Sequence, residues 1–215
     1  MADFGYIAVE GVIGVGKTTF AEKLSKDLSA KLVLEEVENN PFLEKFYKDM
    51  RSYAFPAQLF FLLSRAKQLE PLGQIELFQQ KVVSDYIVEK DRIFAYITLD
   101  ENELGLYEKI YPVVVNEQSI KRPDLIIYLQ ASVETIFERI KKRGRVFEKH
   151  IHKDYIHNLC QAYNHFFTHY TGGATLAIIN TDEVDFASNP EGYKMIKDYV
   201  LNLKGGVNWF TPTLK

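Results

Sequence analysis

The chain has little of several features that define whole classes of protein. It contains a single cysteine, Cys160, which excludes an internal disulfide and fits the reducing cytoplasm where we expect the protein. Its net charge is only −3, so its overall field gives no reason to expect nucleic acid or an anionic membrane as a partner. No hydrophobic run approaches the ~20 residues that span a bilayer. Because the first residues lead directly into a predicted strand, we also expect no signal peptide.

The chain does have enough apolar material for a core, and strand patterns alternate with helix patterns. Its 215 residues are 47% hydrophobic, which supports a single domain over residues 1–215. The predicted strands are Phe4–Glu10, Lys31–Glu35, Lys81–Asp85, Asp124–Gln130 and Leu176–Asn180. The predicted helices are Thr18–Ser29, Pro41–Met50, Pro56–Leu69, Glu101–Ile120, Val133–Lys142, His152–Tyr170 and Pro190–Leu203. This order predicts an α/β fold, with a parallel sheet of about five strands between helices and a loosely packed tail after residue 203.

One segment has the spacing of a phosphate-binding loop. A glycine, four residues and Gly-Lys-Thr follow the first strand and precede the first helix. Glycines let main-chain N–H groups curl around an anion, and the helix N-terminus adds partial positive charge. Lys17 is expected to reach the β- and γ-phosphates, and the Thr18 hydroxyl to bind Mg²⁺. The nucleoside triphosphate is predicted to lie on Gly11, Val12, Ile13, Gly14, Val15, Gly16, Lys17, Thr18 and Thr19.

Charged residues elsewhere suggest what the triphosphate is used for. Glu35 and Asp85 end predicted strands, at the sheet edge where α/β proteins bind ligands. A basic segment carries Arg139, Arg143 and Arg145, and arginines stabilise the charge that develops on a transferred phosphoryl group. We therefore expect a lid over residues 139–150, with a solvated helix face as the alternative. The chain lacks the Asn-Lys-x-Asp motif that a GTPase would normally carry.

Together these segments resemble the deoxyribonucleoside kinase family, most of all its bacterial deoxyadenosine/deoxyguanosine kinase branch. The matching pieces, in order, are Gly11–Thr18, Glu35–Val37, Asn39–Leu43 with Tyr47, Gln58 with Ser64–Arg65, Ser84–Asp85, Asp91–Ala95 and Arg143–Glu148. The resemblance implies a P-loop kinase fold in which ATP phosphorylates the 5′-hydroxyl of a purine deoxynucleoside in nucleotide salvage, with deoxyadenosine ahead of deoxyguanosine. It further implies a homodimer and feedback inhibition by a deoxynucleoside triphosphate.

The resemblance also implies roles for individual residues. Glu35 matches the carboxylate that accepts the 5′-hydroxyl proton, and Asp85 matches the acidic residue that organises Mg²⁺ with Thr18 and is the second candidate for the base. Tyr47 and Glu148 match the pair that holds the sugar 3′-hydroxyl.

Base recognition is implied for Gln58, Arg65 and Asp91, with the Gln58 amide pairing bidentately with the base.

One position departs from the family pattern. Tyr86-Ile87 stands where the family has Arg-Ser, and that arginine would contact the 5′-oxygen and the base carboxylate. Tyr86 is therefore expected on the substrate side of the site, in the place of that arginine. Arg92, Arg143 and Arg145 are candidates to supply the positive charge instead.

Two other functions remain open from the sequence. A thymidylate-kinase-like nucleoside monophosphate kinase would share the loop and the lid, but it needs a second basic cluster for the acceptor phosphate. A nucleotide-binding regulator without turnover would share the loop alone.

Overall fold

The protein is a three-layer α/β structure around one parallel sheet. The computed structural model describes residues 4–70, 81–115 and 120–213. The strands are β1 Tyr6–Gly11, β2 Lys31–Val33, β3 Val82–Ser84, β4 Leu125–Gln130, β5 Thr175–Asn180 and β6 Val207–Phe210. The helices are α1 Lys17–Asp27, α2 Leu43–Lys48, α3 Met50–Leu69, α4 Lys90–Thr98, α5 Glu101–Val114, α6 Val133–Arg143, α7 Lys153–Thr168 and α8 Pro190–Leu201. Short 3₁₀ turns span Val37–Asn39 and Val146–His150.

The sheet has helices on both faces because its central strands are apolar on both faces. Its strand order is β2-β3-β1-β4-β5-β6, and every described pairing is parallel. In β1, Tyr6 and Ala8 belong to a core cluster that includes residues of α2 through α7, whereas Ile7 and Val9 pack in a second cluster with α1 and α8. Successive side chains of a strand point to opposite faces, which explains this division. All carboxyl ends of the strands therefore lie at one edge, where the predicted site residues follow them.

The α/β parallel-sheet prediction is confirmed, and the differences are local. The described residues contain six strands rather than about five, because Val207–Phe210 in the expected loose tail pairs with β5. Phe210 stacks on Tyr199 of α8 with ring centroids 4.2 Å apart, which fixes this segment.

Three helices also differ from the sequence prediction. Helix α3 begins at Met50 and carries Pro56 in its interior, with Asp49 as the capping residue that accepts a hydrogen bond from Ser52 N at 3.1 Å. Helix α4 has no counterpart among the predicted elements. Helix α5 ends at Val114, within a β-branched run that disfavours helix, and residues 116–119 of the longer predicted helix lie outside the described residues. Of the described helices, none is both long and apolar enough to cross a membrane.

Candidate active site

The Gly11–Thr18 segment forms a tight loop between β1 and α1. Gly11, Gly14 and Gly16 have φ values of 148°, 88° and 108°, in the region that side chains with a Cβ rarely adopt. A Cβ at Gly11 would also collide with the carbonyl oxygen of Leu129. The loop geometry therefore requires glycine, and it exposes the start of α1 to an anion.

Lys17 lies inside this loop. Its Nζ donates to the carbonyl oxygens of Gly11 at 2.8 Å and Val12 at 3.3 Å. Burial, followed by the positive charge of Lys90, lowers the pKa of Lys17 to about 8. An anion in the loop would stabilise the charged form of this amine.

A single cavity of about 470 Å³ joins the loop to the other predicted site residues. It lies at the carboxyl edge of the sheet, between the loop and helices α2, α3 and α4. The predicted site residues that line it are Ile13, Gly14, Lys17, Thr18, Glu35, Tyr47, Gln58, Arg65, Asp85, Arg143, Arg145 and Glu148. The structure therefore brings the phosphate loop and the expected acceptor residues to one space.

Glu35 is held between two cations in this cavity. Its Oε1 accepts from Arg65, and its Oε2 accepts from Lys90 Nζ at 2.6 Å. The side chain is 10% exposed, so burial alone would raise its pKa. The charges of Arg65 and Lys90 outweigh that effect and hold the pKa of Glu35 well below its usual range. Neighbouring Glu36 also lines the cavity, but it is exposed and accepts a hydrogen bond from Asn39, so Glu35 is the carboxylate of the two that cations hold in place.

Asp85 connects the acceptor side to the phosphate loop. Its Oδ2 accepts from the Thr18 hydroxyl at 2.6 Å, and its Oδ1 accepts from the main-chain N–H of Glu35 at 2.8 Å. The two residues predicted to organise a metal ion are therefore in contact, and the same aspartate holds the segment that carries Glu35.

The three residues predicted to recognise a base form one buried group. Gln58 Nε2 donates to the carbonyl oxygen and to Oδ1 of Asp91, both at 2.8 Å. Arg65 Nη1 lies 2.5 Å from Asp91 Oδ1, and burial raises the pKa of Asp91 to about 6. Asp91 is fully buried behind Gln58 and Arg65 and does not line the cavity. Because both amide N–H groups of Gln58 are directed to Asp91, the bidentate contact expected from Gln58 is not available in this arrangement.

Tyr47 and Glu148 also line the cavity. The ring of Tyr47 stacks on Phe147 with ring centroids 6.4 Å apart. Glu148 is 5% exposed and accepts from Arg143 Nη2 at 2.5 Å, and Arg145 Nη1 lies 4.0 Å from the same carboxylate. Burial, followed by the charge of Glu148, raises the pKa of Tyr47, so this phenol remains a hydrogen-bond donor.

Two predicted residues lie elsewhere. Tyr86, expected on the substrate side, is fully buried outside the cavity, and its hydroxyl donates to Gln68 Oε1 at 2.8 Å. Arg139, expected to close over the phosphoryl group, donates to the carbonyl oxygens of Val15 at 3.1 Å and Thr181 at 2.8 Å. These contacts join α6 to the phosphate loop and to the end of β5, so in this structure Arg139 holds the loop.

Two charged residues were missed by the sequence analysis. Lys90 lines the cavity beside Glu35, and Glu10 is fully buried at the end of β1. Glu10 accepts from the main-chain N–H groups of Gly11 and Ile87, both at 2.9 Å. Burial raises the pKa of Glu10. In the sequence, Glu10 could have been recognised as a functional residue because it is a carboxylate at the end of an otherwise apolar strand. No local sequence pattern distinguishes Lys90 from an ordinary surface lysine.

Comparisons with known proteins agree with this geometry. A deoxynucleoside kinase family model matches residues 7–203. A deoxyguanosine kinase of Bacillus subtilis is 37% identical over 202 residues, which are 92% of this chain and 97% of the relative. A deoxyadenosine kinase of Lactobacillus acidophilus is 30% identical, over 88% of this chain and 92% of the relative. The structure of deoxyadenosine kinase from M. mycoides with bound dATP has a TM-score of 0.78 at 29% identity, covering 92% of this chain and 99% of that one. The chain belongs to the deoxynucleoside kinase family.

Proposed function

We propose that the protein transfers the γ-phosphoryl group of ATP to the 5′-hydroxyl of a purine deoxynucleoside. One observation carries this proposal. The ionised Glu35 carboxylate and the phosphate loop face the same cavity, linked by Asp85, which bonds both Thr18 and the main chain of Glu35. Phosphoryl transfer needs an attacking oxygen held in line with a fixed phosphate. In this arrangement, Glu35 would hold the attacking oxygen and the phosphate loop would hold the phosphate.

Glu35 is the residue that orients the attacking hydroxyl. In the transfer, the 5′-oxygen bonds to the γ-phosphorus, the bond from that phosphorus to the bridging oxygen breaks, and the hydroxyl proton passes to Glu35. A carboxylate with a lowered pKa is a weak base, but it is ionised at every physiological pH and always accepts the hydroxyl hydrogen bond. In a loose transition state, the proton leaves late, so orientation matters more than base strength.

The charge pattern of the acceptor side favours a neutral acceptor. Arg65 and Lys90 pair with Glu35, and Arg143 and Arg145 pair with Glu148. Among the described cavity residues, Lys17 is then the cation that donates to carbonyl oxygens instead of pairing with a carboxylate, and it lies on the donor side. A nucleoside monophosphate would bring a charged phosphate to a place without an uncommitted cation, which disfavours the thymidylate-kinase-like alternative.

The sugar and the base would be selected by different groups of residues. Tyr47 can donate to a 3′-hydroxyl and Glu148 can accept from it, and a sugar without that group would leave both unpaired. The purine preference rests on similarity to relatives that are named as deoxyguanosine and deoxyadenosine kinases, with the Gln58, Arg65 and Asp91 group beside the base. Deoxyadenosine is the first candidate and deoxyguanosine the second.

The donor side suits ATP with Mg²⁺. The Thr18 hydroxyl and the Asp85 carboxylate are hard oxygen ligands 2.6 Å apart, and Mg²⁺ takes few protein ligands when substrate phosphates supply the rest. A bound Mg²⁺ would neutralise charge on the β- and γ-phosphates. Arg143 and Arg145, at the end of α6 and just beyond it, would form the part of the lid nearest the transferred group.

Regulation and assembly form a further part of the proposal. Because one cavity contains both the base side and the phosphate loop, a deoxynucleoside triphosphate could occupy both and inhibit, as expected of a feedback inhibitor. The dATP-bound structure of the M. mycoides relative supports this. Exposed apolar side chains on α3, α4 and α5 favour a homodimer through these helices: Leu63, Tyr96, Leu106 and Val113. A cytoplasmic location, where ATP is available and Cys160 stays reduced, completes the proposal.

A substrate panel tests the function directly. The four natural deoxynucleosides and their 5′-monophosphates are each incubated with ATP and Mg²⁺, and ADP and nucleotide products are quantified by chromatography. We expect ADP release with deoxyadenosine or deoxyguanosine, formation of the matching monophosphate, and little release without an acceptor. The Glu191→Gln variant is the control and should behave as wild type, because Glu191 is exposed on α8 and does not line the cavity. Turnover of monophosphates alone would support the thymidylate-kinase-like alternative, and ATP binding without any turnover would support the regulator.

A further inference from the structure

Lys90 occupies a position that its chemistry does not favour by itself. It is the first residue of α4 and is 3% exposed. A lysine is almost never buried without a partner, and the partial positive charge of a helix N-terminus opposes a cation there. Its Nζ donates to Glu35 Oε2 at 2.6 Å. The carboxylate of Glu35 is therefore the main compensation for burying this charge.

The two oxygens of Glu35 have separate partners. Arg65 takes Oε1 and extends to Asp91 on the base side. Lys90 takes Oε2 and lines the same cavity as Lys17 of the phosphate loop. Lys90 therefore borders the space in which the two substrates must meet.

The candidates for the missing arginine at position 86 are committed elsewhere. Arg92 pairs with Glu108 at 3.0 Å and lies over the ring of Tyr111, on another side of α4. Arg143 and Arg145 pair with Glu148. Lys90, four residues after Tyr86, is the described cation that reaches Glu35 Oε2.

We propose that Lys90 is a positioning residue for phosphoryl transfer, which holds the Glu35 carboxylate oriented toward the 5′-hydroxyl and supplies the cation that this chain lacks at position 86. The inference rests on the proposed function. Held on both oxygens, the Glu35 carboxylate cannot rotate away from the incoming hydroxyl. The charged groups that surround it are Glu10 at the end of β1, Lys17 on α1, Arg65 on α3, Asp85 after β3, and Lys90 and Asp91 on α4.

The test compares Lys90→Met, which keeps the length of the side chain without its charge, with Lys90→Arg, which keeps the charge. Lys48→Met is the matched control, because Lys48 forms only an exposed pair with Glu44. We expect kcat of Lys90→Met to fall about 100- to 1000-fold, the range for removing one preorganised donor, with little change in KM for the deoxynucleoside. Lys90→Arg should recover to within about tenfold of wild type, and the control should match wild type.

Two readouts separate positioning from a purely structural role. A structural defect would lower the yield of active enzyme whichever residue replaces Lys90, whereas loss of positioning should lower kcat with KM kept and should be restored by Lys90→Arg. A Lys90→Met variant with kcat within threefold of wild type, or a Lys90→Arg variant no more active than Lys90→Met, would overturn the inference. ATP affinity measured by calorimetry confirms that the variant is folded.

If Lys90→Met does not fold, a crystal structure of the wild-type protein with deoxyadenosine and a non-hydrolysable ATP analogue tests the inference instead. Lys90 Nζ within hydrogen-bond distance of Glu35 supports the inference, and a separation beyond about 4.5 Å overturns it. Failure of the wild type to phosphorylate any deoxynucleoside would instead overturn the proposed function, so the two failures are distinguishable.

Discussion

Replacing Glu35 by glutamine should damage both turnover and stability, for two separable reasons. The loss of the carboxylate removes the group that orients and deprotonates the hydroxyl, which costs about 10²- to 10⁴-fold in turnover. It also leaves Lys90, with its side chain 4% exposed, without its anionic partner. Removing one partner of a buried ion pair costs about 3–5 kcal/mol of unfolding free energy. At about 2–4 °C of Tm per kcal/mol for a chain of this size, Glu35→Gln should melt about 6–20 °C lower.

The double variant Glu35→Gln/Lys90→Met separates the two effects. It removes both charges together, and replacing a buried pair by apolar groups is often neutral or stabilising. Arg65 keeps Asp91 as a partner in this variant. Stability should therefore return close to the wild-type value, while turnover stays at least about 100-fold lower.

The assays are urea denaturation followed by circular dichroism, and steady-state kinetics with saturating ATP and deoxyadenosine. Glu191→Gln serves as the control, since it changes an exposed carboxylate on α8 that does not line the cavity. Turnover of Glu35→Gln within tenfold of wild type would refute the role of Glu35. A double variant as unstable as the single variant would refute Lys90 as the stranded charge.

Three further outcomes can be measured. The pKa of Lys17 is about 8, and a bound anion stabilises its charged form, so ATP binding should take up about 0.5 proton at pH 8 and about 0.1 proton at pH 7. Calorimetry in buffers of different ionisation enthalpy measures the number of protons taken up. Equal uptake at both pH values would contradict this role of Lys17. Tyr47→Phe should reduce the preference for a deoxynucleoside over its 2′,3′-dideoxy analogue about tenfold in kcat/KM, and an unchanged preference would leave Tyr47 as a core residue. Arg139→Ala should lower the unfolding free energy by about 2–4 kcal/mol, because its hydrogen bonds to Val15 and Thr181 are lost. Unchanged stability with a loss of kcat of about 100-fold would instead indicate that Arg139 acts in the lid on the transferred phosphoryl group.

The parts of the molecule that could be predicted from sequence are those set by local spacing. The phosphate loop follows from Gly11–Thr18 because its glycine positions are dictated by its own backbone. Strands β1, β4 and β5 follow from continuous apolar runs that are buried on both faces. The start of helix α3 was predicted at Pro56, whereas the helix begins at Met50 and carries Pro56 in its interior.

The parts that could not be predicted depend on distant neighbours. Strand β6 is a short, exposed segment that becomes a strand because the edge of β5 accepts it and Tyr199 stacks on Phe210. The pairing of Lys90 with Glu35 joins residues 55 positions apart and depends on how α4 meets the end of β2. Tyr86 turned inward because its neighbours offered an apolar space and Gln68 as a hydrogen-bond acceptor, which the sequence around it does not reveal.

The single carboxylate at the end of β1 makes the two halves of the cleft interdependent. Glu10 clamps the first amide of the phosphate loop with one oxygen and the Ile87 amide, in the turn before α4, with the other. Any redesign of residues 86–90 to accept a different nucleoside will therefore also displace the phosphate-binding loop and alter the affinity for ATP. When Tyr86-Ile87 is replaced by Arg-Ser, ATP affinity should be measured together with substrate preference, since both depend on the hydrogen bonds of Glu10.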